Sequence, residues 1–433
     1  MNRRTWLALL ACFALVITSC APREGDDIGS PIFNGTTPDG EIVEPVITTL
    51  PAPTVSAIRV PVDEFSIQAA VDRALPGDLI LVDPGVYTEE VVVSTPDVVI
   101  RGRDRNTVFI DGIHALSTGV RVTANGVAIE NLTVRNYLGD AITVGDPAEG
   151  NPIDSFRALH ITTSNTAQNG IALSNVTNAE VTQGWLSGHG NAGVLVSNCV
   201  QCNTLVTATL AEFSARGFAV VGASEGVSIT SVTSRNNRVG IVVEDGASLA
   251  TTGVTVAASV VQNNGFSQSP VANPAFDNSF GVGIHVGGSA STSVVANRIT
   301  GNTMAAVLLG QNVDNASGNP TGTLVERNLI TDNRTSDIVV AFTGALPDAA
   351  LCIRDNGDAS ITPSEAIQAA SCGASTTPAP DFAWVPGTQD SIPYENGPVP
   401  PEIDGLVDAD ATPPVPAGPV ILPDPTLAEV PAG

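Results

Sequence analysis

The chain has 433 residues, of which 18 are basic and 44 acidic, so its formal net charge is −26. All 18 basic residues are arginine. Because binding to a phosphate backbone needs a basic face, this charge argues against DNA or RNA as a partner. Only 4% of the residues are aromatic, which excludes a core made mainly of aromatic side chains. The small and β-branched residues suit many short strands joined by tight turns.

The first residues have the organisation of a secretion signal. Arg3 and Arg4 give a positive start, and residues 7–17 form an apolar stretch. Residues 17–20, Ile-Thr-Ser-Cys, resemble a bacterial lipobox, in which the cysteine is lipidated after cleavage. This resemblance predicts a signal peptide over 1–19, a lipid on Cys20 and a position on the outer face of a membrane in the cell envelope. The alternative is an ordinary signal with an unrelated cysteine.

Two segments are too polar and too rich in proline to form a packed core. Residues 20–57 are rich in Pro, Gly and acidic residues and predict a tether. Residues 377–433 hold 14 prolines, nine acidic residues and no basic residue. This composition predicts a disordered, solvated tail. The ordered part is expected between the two segments.

The ordered part opens with a predicted helix over 65–75. Its apolar residues recur at helical spacing, and Pro76 and Gly77 end it. We expect this helix to cap the N-terminal end of the fold. Short apolar strands are predicted to follow it at Leu79–Val82, Val91–Val93 and Val98–Ile100.

A four-residue unit then recurs, made of a small residue followed by an apolar, any and an apolar residue. It begins at residues 119, 141, 170, 193, 217, 240, 283, 306 and 337. Most steps are close to 23 residues, and the longer ones contain polar inserts near 145–156, 265–281 and 311–322. Such a repeat predicts an all-β fold, a parallel β-helix over 58–343 whose coils stack about 4.8 Å apart.

Asparagines recur between the strands of this repeat. We predict equivalent corner positions, with stacked side chains, for Asn136, Asn236, Asn263, Asn302 and Asn333. Asn tolerates the left-handed backbone of a sharp corner, and Gly188 would take the same position in another coil. These residues are therefore predicted to be structural.

The opening of the ordered part resembles a known superfamily. The motifs are Ile67-Gln68-Ala69-Ala70-Val71, Pro76-Gly77-Asp78, Pro84-Gly85-Val86-Tyr87 and Val99-Ile100-Arg101-Gly102. Together with the repeat, they resemble right-handed parallel β-helix proteins of the pectate-lyase-like superfamily, which includes pectate lyases, polygalacturonases and alginate epimerases. The resemblance implies a fold and not an activity, because one fold hosts many functions.

Four cysteines remain once Cys12 and Cys20 are assigned to the signal and its cleavage site. An even number in an exported chain predicts two disulfides, Cys199–Cys202 and Cys352–Cys372. The alternative for Cys199 and Cys202 is half of a zinc site, but the chain has no second such pair. We predict no metal site and no cofactor.

The residues before the repeat units supply a candidate site. In this row only Asp140, Asn169 and Arg216 have polar side chains long enough to contact a ligand. They could form a small glycan-binding patch. Gly188-His189-Gly190 resembles a polygalacturonase motif. In that family the histidine directly precedes the glycine of its strand, whereas His189 lies four residues before Gly193. His189 is therefore kept only as a candidate member of the patch. The alternative is that these are ordinary turn residues.

The outward positions of the same strands are mostly apolar. An apolar row on a rod is either covered or an interface with a partner, and the sequence leaves both open. The row reads Arg121, Thr143, Ala172, Leu195, Ala219, Val242, His285, Leu308 and Val339.

Residues 344–376 are predicted to form a disulfide-closed C-terminal cap with a short helix at 364–370. The segment 355–365 resembles a damaged calcium loop. Its first ligand position falls on Arg354, whose positive charge opposes a cation.

These features predict an exported, lipid-anchored surface protein that binds or displays an extracellular polysaccharide or a cell-surface protein without catalysis. One alternative is a polysaccharide lyase, hydrolase or epimerase that uses Asp140, Arg216 and His189. A second is a periplasmic accessory factor for metal-cofactor assembly that uses Cys199 or His189.

Overall fold

The computed structural model describes residues 57–146, 150–246, 250–277, 279–311, 318–342, 351–364, 366, 372, 390–403 and 419–433. The chain divides into two units, and all described residues belong to the second, Val55–Gly433. The predicted signal peptide, Cys20, the tether up to residue 56 and most of the predicted helix at 364–370 lie outside the described residues.

Short strands repeat along the described chain and pair only in parallel, each with the strand one coil away. They form three long sheets, here called first, second and third in the order that a coil passes through them. The first sheet has twelve described strands, Ala57–Val60, Leu79–Val82, Val99–Gly102, Ala128–Glu130, Arg157–Leu159, Glu180–Thr182, Thr204–Thr207, Val227–Thr230, Thr255–Ala257, Ser293–Val295, Thr323–Glu326 and Leu351–Arg354.

The other two sheets lie on the remaining sides of the coil. The second has ten described strands, Gly85–Tyr87, Val108–Asp111, Thr133–Arg135, Thr162–Ser164, Trp185–Ser187, Leu210–Glu212, Thr233–Arg235, Val260–Gln262, Arg298–Thr300 and Leu329–Thr331. The third has eleven, Val91–Val93, Val120–Val122, Ile142–Val144, Ile171–Ser174, Ala192–Ser197, Arg216–Val221, Val239–Glu244, Val282–Gly287, Ala305–Gly310, Ser336–Ala341 and Ile361–Thr362. Ile153–Asp154 and Val176–Thr177 form a separate small sheet.

This arrangement is a parallel β-helix and confirms the predicted fold class. Alternate side chains point inward, so each sheet contributes rows of stacked aliphatic residues to one continuous core. On the first sheet the inward row includes Ile80, Ile100 and Ile129, which are paired on successive coils.

The N-terminal end is capped by a helix, as predicted, with observed bounds Ile67–Arg73. Ser66 Oγ accepts from Ala69 N at the start of this helix. The carboxylate of Glu89 accepts from the next free donors, Ile67 N and Gln68 N, at 3.0 and 2.9 Å. The buried face of the helix joins the core, so the first coil does not expose its apolar interior.

Sharp corners separate the second and third sheets. Asn136, Asn236 and Asn263 have left-handed backbones there, and so does Gly188, as predicted. The prediction for Asn302 and Asn333 is wrong by one position, because Gly301 and Asp332 take the left-handed conformation instead.

The asparagines that come one residue after the left-handed corner residue stack inside the rod. Asn264 Nδ2 donates to Asn302 Oδ1 at 3.0 Å, and Asn302 Nδ2 donates to Asn333 Oδ1 at 2.9 Å. We call this interior row the amide ladder; its described members are Thr166, His189, Ser214, Asn237, Asn264, Asn302 and Asn333.

Both predicted disulfide pairs are within bonding distance. Cys199 and Cys202 have Cα atoms 5.1 Å apart in the turn between the third and first sheets. Cys352 and Cys372 have Cα atoms 4.4 Å apart at the C-terminal end of the rod. The strand Leu351–Arg354, which contains Cys352, continues the first sheet into the region predicted as a cap.

Two stretches of the predicted tail are described, and both form hydrogen bonds with the rod. In the first, residues 390–403, Pro398 O accepts from Ser187 Oγ at 2.7 Å, and Ile403 exchanges two hydrogen bonds with Asn106. The second, residues 419–433, contacts Arg298 and Arg327. Composition did not predict these contacts, because most of them are made by backbone groups of the tail.

Candidate functional site

The outward row of the third sheet has the predicted register. Val242, for example, pairs with Ala219 on one side and with His285 on the other. From Ala219 to Val339 this row is buried, and with Val239, Val282 and Ala305 it forms a second apolar cluster outside the coil. Of the two possibilities that the sequence left open, the structure favours a covered row.

Part of the cover is the insert at residues 265–281. Ala272 N donates to Gly190 O at 2.7 Å, which fixes the insert to a corner of the rod. A 3₁₀ turn at Pro274–Asp277 then places Phe276 over Arg216, with 4.6 Å between the guanidinium carbon and the ring centroid. The ring of Phe276 thus covers Arg216 on the third sheet.

Asp140 and Asn169 of the predicted patch lie on adjacent coils and bind each other. Asp140 Oδ1 accepts from Asn169 N at 2.9 Å and from Asn169 Nδ2 at 2.8 Å. Asp140 Oδ2 accepts from Thr143 Oγ1 at 2.8 Å. Both carboxylate oxygens are therefore engaged within the chain, as in an ordinary corner.

Arg216 lies farther along the rod. Its guanidinium donates to Asn191 Oδ1, and the residue is only 7% exposed beneath Phe276. Three coils separate it from Asp140, which corresponds to about 14 Å. Asp140 and Arg216 are therefore engaged in separate contacts on different coils and do not form one patch.

His189, the fourth predicted member of the patch, belongs to the amide ladder inside the rod. It is fully buried, with Nδ1 2.7 Å from Thr166 Oγ1 and Nε2 3.0 Å from Thr163 Oγ1. Thr166 Oγ1 donates to Asn169 O, so Nδ1 of His189 is the donor and Nε2 the acceptor. The prediction that His189 contributes to a surface patch is wrong, because its position follows the corner glycine and points inward.

Burial lowers the pKa of His189 to about 3, so the ring is neutral at physiological pH. Cys199 and Cys202 are also buried, and each is bonded to the other. Neither group is thus presented for metal transfer, which removes the support for an accessory role in cofactor assembly. Within the described ranges, no three His, Cys, Asp or Glu side chains are grouped so as to hold a metal ion.

A charged cluster that the sequence did not predict lies on the outer face of the third sheet. Glu244 Oε1 and Ser279 Oγ lie 3.0 and 2.7 Å from His285 Nδ1. Both contacts use the same ring nitrogen, which is not the arrangement of a Ser-His-acid triad. His285 is 1% exposed, so the cluster joins the insert to the sheet beneath the surface.

The first sheet carries an open cleft of about 560 Å³ on its outer face. Its floor is formed by outward residues of two neighbouring strands, among them Ser228, Thr230 and Thr255. Its other wall is the C-terminal stretch at residues 423–429. This volume falls within the range of about 300–1,000 Å³ that is common for small-ligand sites.

Hydroxyl groups dominate the floor of the cleft. Ser228 is 2% exposed, and its Oγ has no hydrogen-bond partner in the described part of the chain. Asp424 and Glu429 lie on the wall, and none of the described lining residues is basic. The cleft can therefore accept and donate hydrogen bonds, but it offers no counter-charge to an anion.

The described part of the chain has no helix of the length and apolar character that a bilayer crossing requires. No family model matches the chain, and no curated protein matches it.

Several solved structures are similar to it. They include the A-module of the mannuronan C-5 epimerase AlgE4 of Azotobacter vinelandii (14% identity, 68% of this chain and 90% of that chain, TM-score 0.39). The periplasmic alginate epimerase AlgG is 12% identical over 70% of this chain and 72% of that chain, with a TM-score of 0.42. Pectate lyase Pel9A is 16% identical over 69% and 71%, with a TM-score of 0.37.

At these identities and TM-scores, the likeness carries no argument about activity or substrate. The stacked parallel sheets themselves establish the architecture. The chain has the parallel β-helix fold that its repeat predicts.

Proposed function

We propose that this chain is an exported, lipid-anchored protein of the cell envelope whose rod binds a neutral extracellular carbohydrate without cleaving it. The observation that carries the proposal is the cleft on the first sheet, with its floor of Ser228, Thr230 and Thr255. Hydroxyl side chains both donate and accept, as sugar hydroxyls do, so they suit a ligand of the same chemistry.

Charge supports a neutral ligand over a polyuronate. The cleft wall contributes Asp424 and Glu429, the described lining contains no arginine, and the whole chain has a formal charge of −26. A polyanion would be repelled both locally and by the overall field. On the floor of the cleft, Ala257 and the methyl groups of Thr230 and Thr255 can pack against the C–H faces of a sugar ring.

A non-catalytic role is supported by the state of the candidate catalytic groups. Asp140 is hydrogen-bonded within its corner, Arg216 lies beneath Phe276, and His189 is inside the rod. A hydrolase or lyase would need such groups beside an open cleft.

The test is calorimetric titration of the purified chain with cellohexaose, xylohexaose and maltohexaose, and with trigalacturonate as an anionic probe. We expect binding of at least one neutral oligosaccharide, no binding of trigalacturonate and unchanged sugar after prolonged incubation. Thr230→Val should weaken binding, whereas the matched control Thr233→Val, on the second sheet, should not. Chain cleavage or epimerisation of any probe would overturn the non-catalytic role, and binding by none of them would overturn carbohydrate recognition.

A further inference from the structure

The last described stretch of the chain, residues 419–433, crosses the outer face of the first sheet; we call it the C-terminal strap. Arg327 holds it at three carbonyl oxygens: Nη1 donates to Ala428 O at 2.9 Å, and Nη2 donates to Pro425 O and Thr426 O at 3.1 and 3.2 Å. Arg298 Nε donates to Pro431 O at 3.0 Å. Two arginines of the rod thus fix the strap through its backbone.

The side chains of the strap contribute little to this attachment. Leu427 is 78% exposed and Ile421 is 88% exposed, so neither is buried against the sheet. Pro425 borders both the 560 Å³ cleft and a second hollow of about 210 Å³, beside Glu326 and Arg354. The strap therefore bridges the face of the sheet without filling the space beneath it.

Beneath the strap, one polar group of the sheet is covered but not satisfied. Ser228 Oγ is buried and has no hydrogen-bond partner in the described chain, although Asp424 and Glu429 line the same cleft. Covering a hydroxyl without pairing it costs free energy, which any ligand that pairs it would recover. The strap is thus an imperfect cover for this face.

We propose that the C-terminal strap is a displaceable cover and that a neutral carbohydrate chain competes with it for the hydroxyl face of the first sheet. This inference rests on the proposed function and adds its regulation. A glycan would pair Ser228 and the neighbouring threonines, whereas the strap is held by Arg298 and Arg327 and leaves Ser228 Oγ without a partner in the described chain. The affinity measured for the full chain is then reduced by the fraction of molecules in which the strap is docked.

The experiment removes the anchors of the strap and leaves the hydroxyl floor of the cleft, on the first sheet, unchanged. The variant is Arg298→Gln with Arg327→Asn; asparagine suits position 327 because the backbone there is left-handed, with φ of 55°. The matched control is Arg235→Gln, an outward arginine of the second sheet that pairs with Glu212 and not with the strap. Hydrogen exchange of residues 419–433 reports strap release, and calorimetry with cellohexaose, xylohexaose and maltohexaose reports binding.

We expect faster exchange of the strap in the double variant and affinity that is roughly tenfold higher than in wild type and control. A synthetic peptide of residues 419–433, added in trans, should lower that affinity again. Strap release with unchanged affinity would overturn the competition while leaving carbohydrate binding intact. Unchanged exchange would overturn the anchoring role of the two arginines. Absence of binding by every protein would overturn the proposed function, and the competition with it.

Discussion

Glu244 and His285 are hydrogen-bonded beneath the insert at residues 265–281, with 3.0 Å between Glu244 Oε1 and His285 Nδ1. A carboxylate can only accept, so His285 Nδ1 carries the hydrogen. Ser279 Oγ, from the insert, lies 2.7 Å from the same nitrogen. A charged group of the sheet thereby orients the ring that holds the insert against the rod.

Replacing Glu244 should destabilise the protein in a pH-dependent way. Burial alone would raise the pKa of Glu244, but the hydrogen bond and charge of His285, with the charge of Arg216, lower it below its ordinary value of 4.5. Stabilisation by the carboxylate is therefore complete above pH 4.5 and is lost as the pH falls through the folded pKa. We expect Glu244→Gln to lower the free energy of unfolding by about 2 kcal/mol at pH 7.

Urea unfolding at pH 7 and pH 3 measures this difference, with exposed Glu225→Gln as the control. The difference between wild type and Glu244→Gln should shrink at pH 3. The same difference at both pH values would contradict a role for the ionised carboxylate.

His189 should make the protein sensitive to mild acid. The unfolded chain takes up a proton on this ring near pH 6.5, whereas the folded chain does so only near pH 3, because the ring is buried. Stability therefore falls as the pH drops from 6.5 towards 3. His189→Asn removes the titrating group and keeps the residue type that other coils use at this position. Between pH 7 and pH 4.5 the variant should lose about 2 kcal/mol less stability than wild type.

Chemical denaturation at the two pH values measures this loss. Ser214→Asn, on the next coil of the amide ladder, is a control for the change of residue type because it leaves His189 in place. Parallel stability profiles for wild type and His189→Asn would refute the assignment of the acid sensitivity to His189.

The two disulfides should differ in their contribution to stability. Cys199–Cys202 closes a sequence separation of 3 residues and Cys352–Cys372 one of 20. In the chain-entropy description, the stabilisation is then about 2 kcal/mol for the first and about 3 kcal/mol for the second. We expect the pair Cys352→Ser and Cys372→Ser to lower the thermal midpoint more than Cys199→Ser and Cys202→Ser. Mass spectrometry under non-reducing conditions should first verify both bonds, and the opposite ranking would contradict the entropic account.

Lipidation at Cys20 remains a prediction from the sequence. Cys20→Ala should move the protein from the membrane fraction to the soluble fraction of producing cells, because the lipid would be its attachment. Immunoblotting of the fractions measures this, with Cys12→Ala, inside the predicted signal, as the control. Unchanged partitioning of Cys20→Ala would refute the anchor.

The architecture was predictable because a stacked coil repeats its chemistry at a near-constant interval. The outward row from Arg121 to Val339 pairs in the predicted register, since the alternation of side chains fixes which residues face the core. The corner at Gly188 was predictable for the same reason, because few residues tolerate its backbone.

The errors in assigning corner residues arose because asparagine occurs both at the corner and at the next position, which belongs to the amide ladder. Asn236 and Asn237 are neighbours, and only the first is a corner residue while the second belongs to the amide ladder. Sequence spacing could not separate the two roles, so Asn302 and Asn333 were assigned to the wrong one. His189 was misplaced by the same ambiguity, although its place one residue after Gly188 would have assigned it to the ladder.

The strap and the cluster of Glu244, Ser279 and His285 could not be predicted from composition. Arg327 recognises carbonyl oxygens of the strap, and every residue supplies one, so no motif marks the contact. Glu244 and His285 come from strands 43 residues apart in the repeat and meet Ser279 only when the insert folds back. Long-range contacts of this kind carry no local signal.

The regular stacking also sets how the chain can change in length. Thr204 pairs with Val227, Leu210 with Thr233 and Arg216 with Val239, so this coil is offset by 23 residues on all three sheets. Deletion or duplication of that whole unit preserves the register on every wall, whereas an indel of one residue would turn each following side chain of a strand to the opposite face. Homologues of this protein should therefore vary in length by complete coils or within the loops between strands, and not by single residues inside a strand.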